Sequence, residues 1–189
     1  MIRLFFALNL PPESRDRIAA GSEALREAAP SIAWVRTPLL HLTLKFLGAQ
    51  QEEMVGHLAD LAARVAADAG PLRFTLARYG AFPNLQRPRV VWLGITQGAD
   101  AIGEVAAALD QGCGELGIAR ESRPFKAHLT LGRVKKELSN AERLSLATAA
   151  ARASREESVV VSCIDLMRSD QGPSGSRYTV VASAALGGA

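Results

Sequence analysis

No run of eighteen apolar residues occurs in the chain, which excludes a hydrophobic membrane span. The opening, Met1 to Pro12, is apolar but brief. It has almost no basic leader and no small-residue cleavage site, so a cytoplasmic protein is expected rather than a secreted one. Cysteine is scarce: Cys113 and Cys163 are isolated, with no CxxC, so neither a zinc knuckle nor a redox pair is suggested. Both read as reduced packing residues. Nine prolines and sixteen glycines are too few for a fibrous or low-complexity chain. A net charge of +3 is too small for a broad nucleic-acid footprint. Arginine nevertheless supplies 18 of the 22 basic side chains, and its planar fork suits a local phosphate site. Hydrophobic residues at 48% and charged residues at 22% of 189 describe one compact domain over 1–189, globular and not disordered.

Alternating strand and helix patterns run through the whole chain. Strands are expected over 2–8, 32–36, 41–47, 72–79, 89–96, 126–134, 158–168 and 177–185. Helices are expected from Pro12 to about 28, then over 51–68, 99–117 and 140–152. The polar segment 169–176 reads as a turn or loop. Strands occur in adjacent pairs as well as between helices, which favours α+β over a strictly alternating parallel sheet.

The informative feature is a repeat. His41-Leu42-Thr43-Leu44 recurs as His128-Leu129-Thr130-Leu131, in a chain with only three histidines. Side chains on a strand alternate faces, so His41, Thr43 and Lys45 are expected on one face, with Leu42, Leu44 and Phe46 behind. In the second copy Lys126, His128 and Thr130 share a face, with Ala127, Leu129 and Leu131 behind. If two related lobes bring these strands together, two imidazoles and two hydroxyls converge on one cleft.

Two facing imidazoles suit proton transfer at both ends of a displacement, because both forms of histidine are available near neutral pH. Two hydroxyls can donate to phosphate oxygens, and an ammonium can offset charge developing on phosphorus. The set fits phosphoester chemistry without a metal, particularly on a ribose 2′,3′-cyclic phosphate whose leaving alkoxide needs a proton. His57, on a helical stretch, lies outside both copies and reads as a surface residue.

The paired HxTx motifs resemble those of the 2H phosphoesterase superfamily, in particular its RNA 2′,3′-cyclic phosphodiesterase (2′-5′ RNA ligase) branch. Further matching blocks are Arg3 to Leu8, Trp34-Val35 with His41 to Gly48, Phe82-Pro83, Arg89 to Gly94, Phe125 with His128 to Arg133, and Ser169 with Tyr178. The resemblance implies a bilobal α+β fold with pseudo-twofold symmetry, antiparallel sheets lining a central cleft and helices outside. It implies hydrolysis of RNA 2′,3′-cyclic phosphate ends to 2′-phosphomonoesters without a cofactor, with reversible 2′-5′ RNA ligation beside it. By motif position His41 is the donor to the leaving 3′ oxygen and His128 the acceptor that activates water. Thr43, Thr130, Lys45, Lys126 and Arg133 are the candidate phosphate-binding residues. Strict alternation puts Arg133 on the core side with Leu131 unless the strand bulges there. The implied partner is RNA with cyclic-phosphate ends, tRNA fragments among them, bound by a monomer.

Other readings carry less. A zinc hydrolase needs a third ligand, and no HExxH, HxH or motif carboxylate supplies one. Gly112-Cys113-Gly114-Glu115-Leu116-Gly117 matches GxGxxG but follows a helical stretch, so it reads as a helix end and not a dinucleotide loop. A protein that binds RNA ends without catalysis would use the same hydroxyls and arginines, and is the alternative to test.

Overall fold

The computed structural model describes residues 1–153, 156–172 and 175–187. The chain opens with the apolar strand β1 (Ile2–Asn9), most of whose side chains are buried. Pro11 and Pro12 then end the strand and start helix α1 (Pro12–Gly21), since proline's missing N–H is harmless in a first turn. The helix expected to run to residue 28 breaks at Ser22, and α2 (Glu23–Ala28) follows. The buried Ser22 hydroxyl donates to the Ile18 carbonyl, a back-bond that bends helices. The strand expected over 32–36 shrinks to β2 (Ala33–Trp34), because Thr37–Leu39, with Pro38 inside it, forms a 3-10 turn.

The remaining elements follow the sequence pattern more closely. They are β3 (His41–Gln50), α3 (Met54–Ala67), β4 (Leu72–Phe82), β5 (Val90–Gln97), α4 (Ala99–Glu115), β6 (His128–Arg133) and α5 (Asn140–Arg152). The GxGxxG stretch is the end of α4, with Gly117 in the left-handed region at φ 78°. Helix α5 begins with a capping box: the Ser139 hydroxyl accepts from Glu142 N–H while the Glu142 carboxylate reaches back to Ser139 N–H. The single strand expected at 158–168 is two, β7 (Glu157–Val161) and β8 (Cys163–Gly172). The segment 169–176 is largely strand: β8 pairs with β9 (Gly175–Ala185) as far as Gly172 and Gly175, while Pro173 and Ser174 lie outside the described residues.

All pairings are antiparallel, in a nine-stranded sheet of order β7-β4-β5-β6-β3-β1-β8-β9, with β2 added beside β6. Reading this order outward from the middle matches β6 with β3, β5 with β1, β4 with β8 and β7 with β9, which is the pseudo-twofold relation between the two halves. Strands β7 and β8 lie near opposite ends of the order, yet Ser162 alone separates them. Two peptide units span at most roughly 7 Å, so the sheet has to curl until its ends approach. Helices α3 and α4 pack on β3, β8 and β9, and α1, α2 and α5 cover the β4 and β7 side. One apolar core runs between sheet and helices, with Leu42 and Leu129 fully buried in it.

Candidate active site

The two histidine strands meet at the centre of the sheet, where Leu42 pairs with Leu129. One residue to either side, the same antiparallel geometry sets His41 across from Thr130 and Thr43 across from His128. The leucines at 42, 44, 129 and 131 all point into the core. The four polar side chains of the motifs are half-buried on the other face. Two copies of a tetrapeptide 87 positions apart therefore present one symmetric patch of two imidazoles and two hydroxyls.

Each imidazole is fixed by its own chain. His41 Nδ1 lies 2.7 Å from the Leu39 carbonyl, and His128 Nδ1 lies 2.6 Å from the Lys126 carbonyl. A carbonyl only accepts, so Nδ1 is the donor in both rings and Nε2 remains for chemistry. The edge of the Tyr178 ring meets His41 at 5.1 Å, and Phe5 lies 5.0 Å away. Phe82 meets His128 edge-on at 5.0 Å. Burial pushes both imidazoles below the usual histidine value, the carbonyl hydrogen bonds act in the opposite sense, and the Arg133 charge depresses both further. Arg15 adds to the depression at His41.

Strict alternation fails at the same place in both strands. Ala7 pairs with Thr43 and Phe6 with Lys45, which leaves Leu44 as the extra residue of a bulge. Trp92 pairs with Thr130 and Val91 with Gly132, which makes Leu131 the extra residue in the second copy. After each bulge the faces exchange. Lys45, expected beside His41, instead points into the interior and is 2% exposed. Its ammonium donates to Asp110 Oδ1 at 2.7 Å and to the Ala119 carbonyl at 3.0 Å. Phe46 takes the outer face, 59% exposed and 6.1 Å from Phe5. The second bulge moves Arg133 off the core side, where alternation placed it, and exposes it near both histidines. Gly132 fills the inward position, because a methyl group there would lie 2.7 Å from Ile32 and 2.9 Å from Trp34.

The two sides of the patch differ. Beside His128 lies a cavity of about 480 Å³, lined by Phe82, Trp92 and Lys126 among others. Lys126 precedes β6 and is exposed. It therefore joins His128 at the cavity wall, although the strand expected to carry it starts two residues later. The Trp92 ring lies over two glycines: a methyl at Gly80 would sit 2.4 Å from it and one at Gly94 2.9 Å. Beside His41 the space is occupied by Phe5, Tyr178 and Asn9, the last donating to Asp165 Oδ2 at 2.8 Å. Arg15 is a site residue that the sequence pattern did not mark. Its Nη1 donates to the Pro38 carbonyl at 2.8 Å, holding the turn whose next carbonyl fixes His41. Nothing in the spacing of α1 distinguishes it from the other surface arginines. Among the described residues no group of three or more His, Cys, Asp or Glu side chains is placed to hold a metal, and His57 is exposed on α3.

Several known proteins are similar to this chain over most of its length. An RNA 2′,3′-cyclic phosphodiesterase of Methanothermobacter thermautotrophicus is 29% identical over 178 residues, covering 94% of this chain and 95% of that protein. One from Thermus thermophilus is 38% identical over 143 residues, 71% of this chain and 69% of that protein. A solved structure from Thermus thermophilus superimposes with a TM-score of 0.78 at 32% identity over 99% of both chains. The E. coli LigT structure with 3′-AMP gives 0.75 at 29% identity over 98% of both. Residues 11–173 match the family model for the 2′-5′ RNA ligase superfamily, and the chain belongs to that superfamily.

Proposed function

We propose that the protein hydrolyses RNA 2′,3′-cyclic phosphate ends to 2′-phosphomonoesters, using His41 and His128 as an acid–base pair and no metal. The observation that carries this reading is the pairing itself. Two imidazoles with tethered Nδ1 atoms leave two Nε2 atoms on one face of adjoining strands, across from two threonine hydroxyls. The relatives named as RNA 2′,3′-cyclic phosphodiesterases, matched over most of the chain, support the substrate class.

In the proposed step His128 Nε2 takes a proton from water as its oxygen bonds to phosphorus. The P–O3′ bond breaks, and the departing O3′ takes the proton from His41 Nε2. Thr43 and Thr130 donate to the non-bridging oxygens, and Arg133 offsets their charge. Lys126 stands at the cavity rim as a second cation. With a ribose 5′-hydroxyl in place of water, the same groups in the same roles form a 2′-5′ linkage, and they exchange roles when that linkage is cleaved back to the cyclic phosphate. The protein acts as a monomer on such ends, tRNA fragments included.

The test is an oligoribonucleotide ending in a 2′,3′-cyclic phosphate, incubated without metal and with EDTA. The expected product is the 2′-phosphomonoester. His41→Ala and His128→Ala are each expected to lower turnover by about 10²-fold or more, with little change in substrate binding. Full turnover in either variant, or activity lost to EDTA, would overturn the mechanism. Tight binding of the RNA end with no product would establish the non-catalytic alternative.

A further inference from the structure

The wall of the His128 cavity carries one residue that the proposed step leaves unused. Arg78 lines that cavity at its β4 side. Ala77 pairs with Gly94 and Tyr79 with Leu93, so Arg78 is the extra residue of a bulge in β4. Its φ is +64°, and it is the only non-glycine residue at positive φ among those described. Left-handed backbone disfavours a long side chain and is usual for glycine or asparagine. Here it holds an exposed arginine. Among the described residues the Arg78 guanidinium has no ion pair and no side-chain hydrogen bond.

Its surroundings suit a nucleotide. The row His128, Gly94, Ala77 crosses three adjacent strands, and the Trp92 ring lies over Gly94 in the middle of it. Trp92 and Phe82, with ring centroids 5.2 Å apart, give the cavity flat aromatic faces of the kind on which bases stack. Arg78 follows Ala77, two strand spacings or roughly 10 Å across the sheet from the His128 backbone. Arg133, by contrast, is the cation felt by both imidazoles. One arginine thus belongs to the reacting phosphate, and the other stands about one nucleotide further along the cavity.

We propose that Arg78 is a phosphate subsite for the nucleotide adjoining the reacting one, so that the cleft selects polymeric RNA over free cyclic mononucleotides. This rests on the RNA-end reading above. The bulge sets Arg78 in the cavity wall, and the guanidinium grips a phosphodiester oxygen that a mononucleotide lacks.

The experiment compares wild type with Arg78→Gly and Arg78→Asn, two residues that accept the same φ and so preserve the bulge. Each is assayed on a 2′,3′-cyclic mononucleotide and on a short oligoribonucleotide with the same end. Binding of an unreactive oligoribonucleotide with a plain 3′-phosphate is measured across salt concentrations. Both variants are expected to lose about tenfold in kcat/KM on the oligonucleotide, through KM, and to stay within about twofold on the mononucleotide. The slope of log K against log salt should become shallower by about 0.7, the share of one single-strand phosphate contact. An equal loss on both substrates, or no loss on the oligonucleotide, overturns the subsite. If wild type cleaves neither substrate the catalytic reading fails instead, and the salt-dependent binding of the unreactive oligonucleotide still decides the role of Arg78.

Discussion

Asp110→Asn should destabilise the fold by about 3 kcal/mol, although Asp110 lies on the far side of β3 from the histidines. The Lys45 side chain is 1% exposed, and its ammonium has two partners, Asp110 and the Ala119 carbonyl. Asparagine leaves that charge in the interior with neutral partners only. The converse change is milder. In Lys45→Met, Asp110 keeps the Arg120 guanidinium at 3.0 Å and the Glu121 N–H at 2.9 Å, and its side chain is 15% exposed to water. A methionine stem fills the lysine's channel, so a loss within about 1 kcal/mol is expected. The double variant should therefore be more stable than Asp110→Asn alone by about 2 kcal/mol. The assay is urea unfolding of all four proteins, read as midpoint shifts at constant m. Heating should show the single aspartate variant melting roughly 6–12 °C lower. Equal effects of the two single changes, or a double variant no better than Asp110→Asn, would refute the argument that the buried ammonium dominates this contact.

The same pair gives an acid signature. Partial burial pushes the Asp110 carboxyl up, but hydrogen bonds from Lys45, the Glu121 amide and Arg120 outweigh it and bring it from 3.8 to about 2. With the folded value lowered, its contribution is present above 3.8 and fades as pH falls toward 2; acid unfolding of Lys45→Met should show a smaller loss across that window. Because both imidazoles lie below the usual histidine value, the kcat/KM profile should be bell-shaped with its limbs on the acid side, and Arg133→Gln should move both limbs upward; a profile flat from about pH 5 to 9 would contradict this. Gly80→Ala should cost about 1–3 kcal/mol by forcing the Trp92 ring from its place, seen as a lower urea midpoint together with altered tryptophan emission. Leu129→Ala should cost about 2–5 kcal/mol in unfolding free energy as a cavity opens at the strand pair.

The amphipathic rhythm of the sequence was enough to place both histidines and both threonines outward and four leucines inward, because those residues precede the bulges or, as with Leu44 and Leu131, form them before the faces exchange. It misplaced Lys45 and left Arg133 facing the core because a single inserted residue exchanges the two faces of a strand, and period-two reasoning has no term for it. A clue was present: Leu44 and Leu47 are three apart, and both are buried. That spacing cannot belong to one face of a regular strand. The break at Ser22 rests on one hydroxyl bonding back to the Ile18 carbonyl, a local contact that apolar spacing does not encode, and the division of 158–168 on which strand each half pairs with, which is not a local property. Arg78 left no trace in the pattern because its meaning depends on a backbone angle that only the paired strands define.

The two halves of the sheet touch through one registered pair. Beyond Leu129, the edge of β6 is taken by β2, where Ala33 pairs with Arg133 and Trp34 with Gly132, while β3 turns toward β1. Each imidazole is thus anchored rigidly to its own half, and the gap between them is set by the angle at which the halves splay from a seam one residue wide. A substitution far out on either wing that altered this splay would change the distance a proton must travel, while leaving every hydrogen bond within each motif intact.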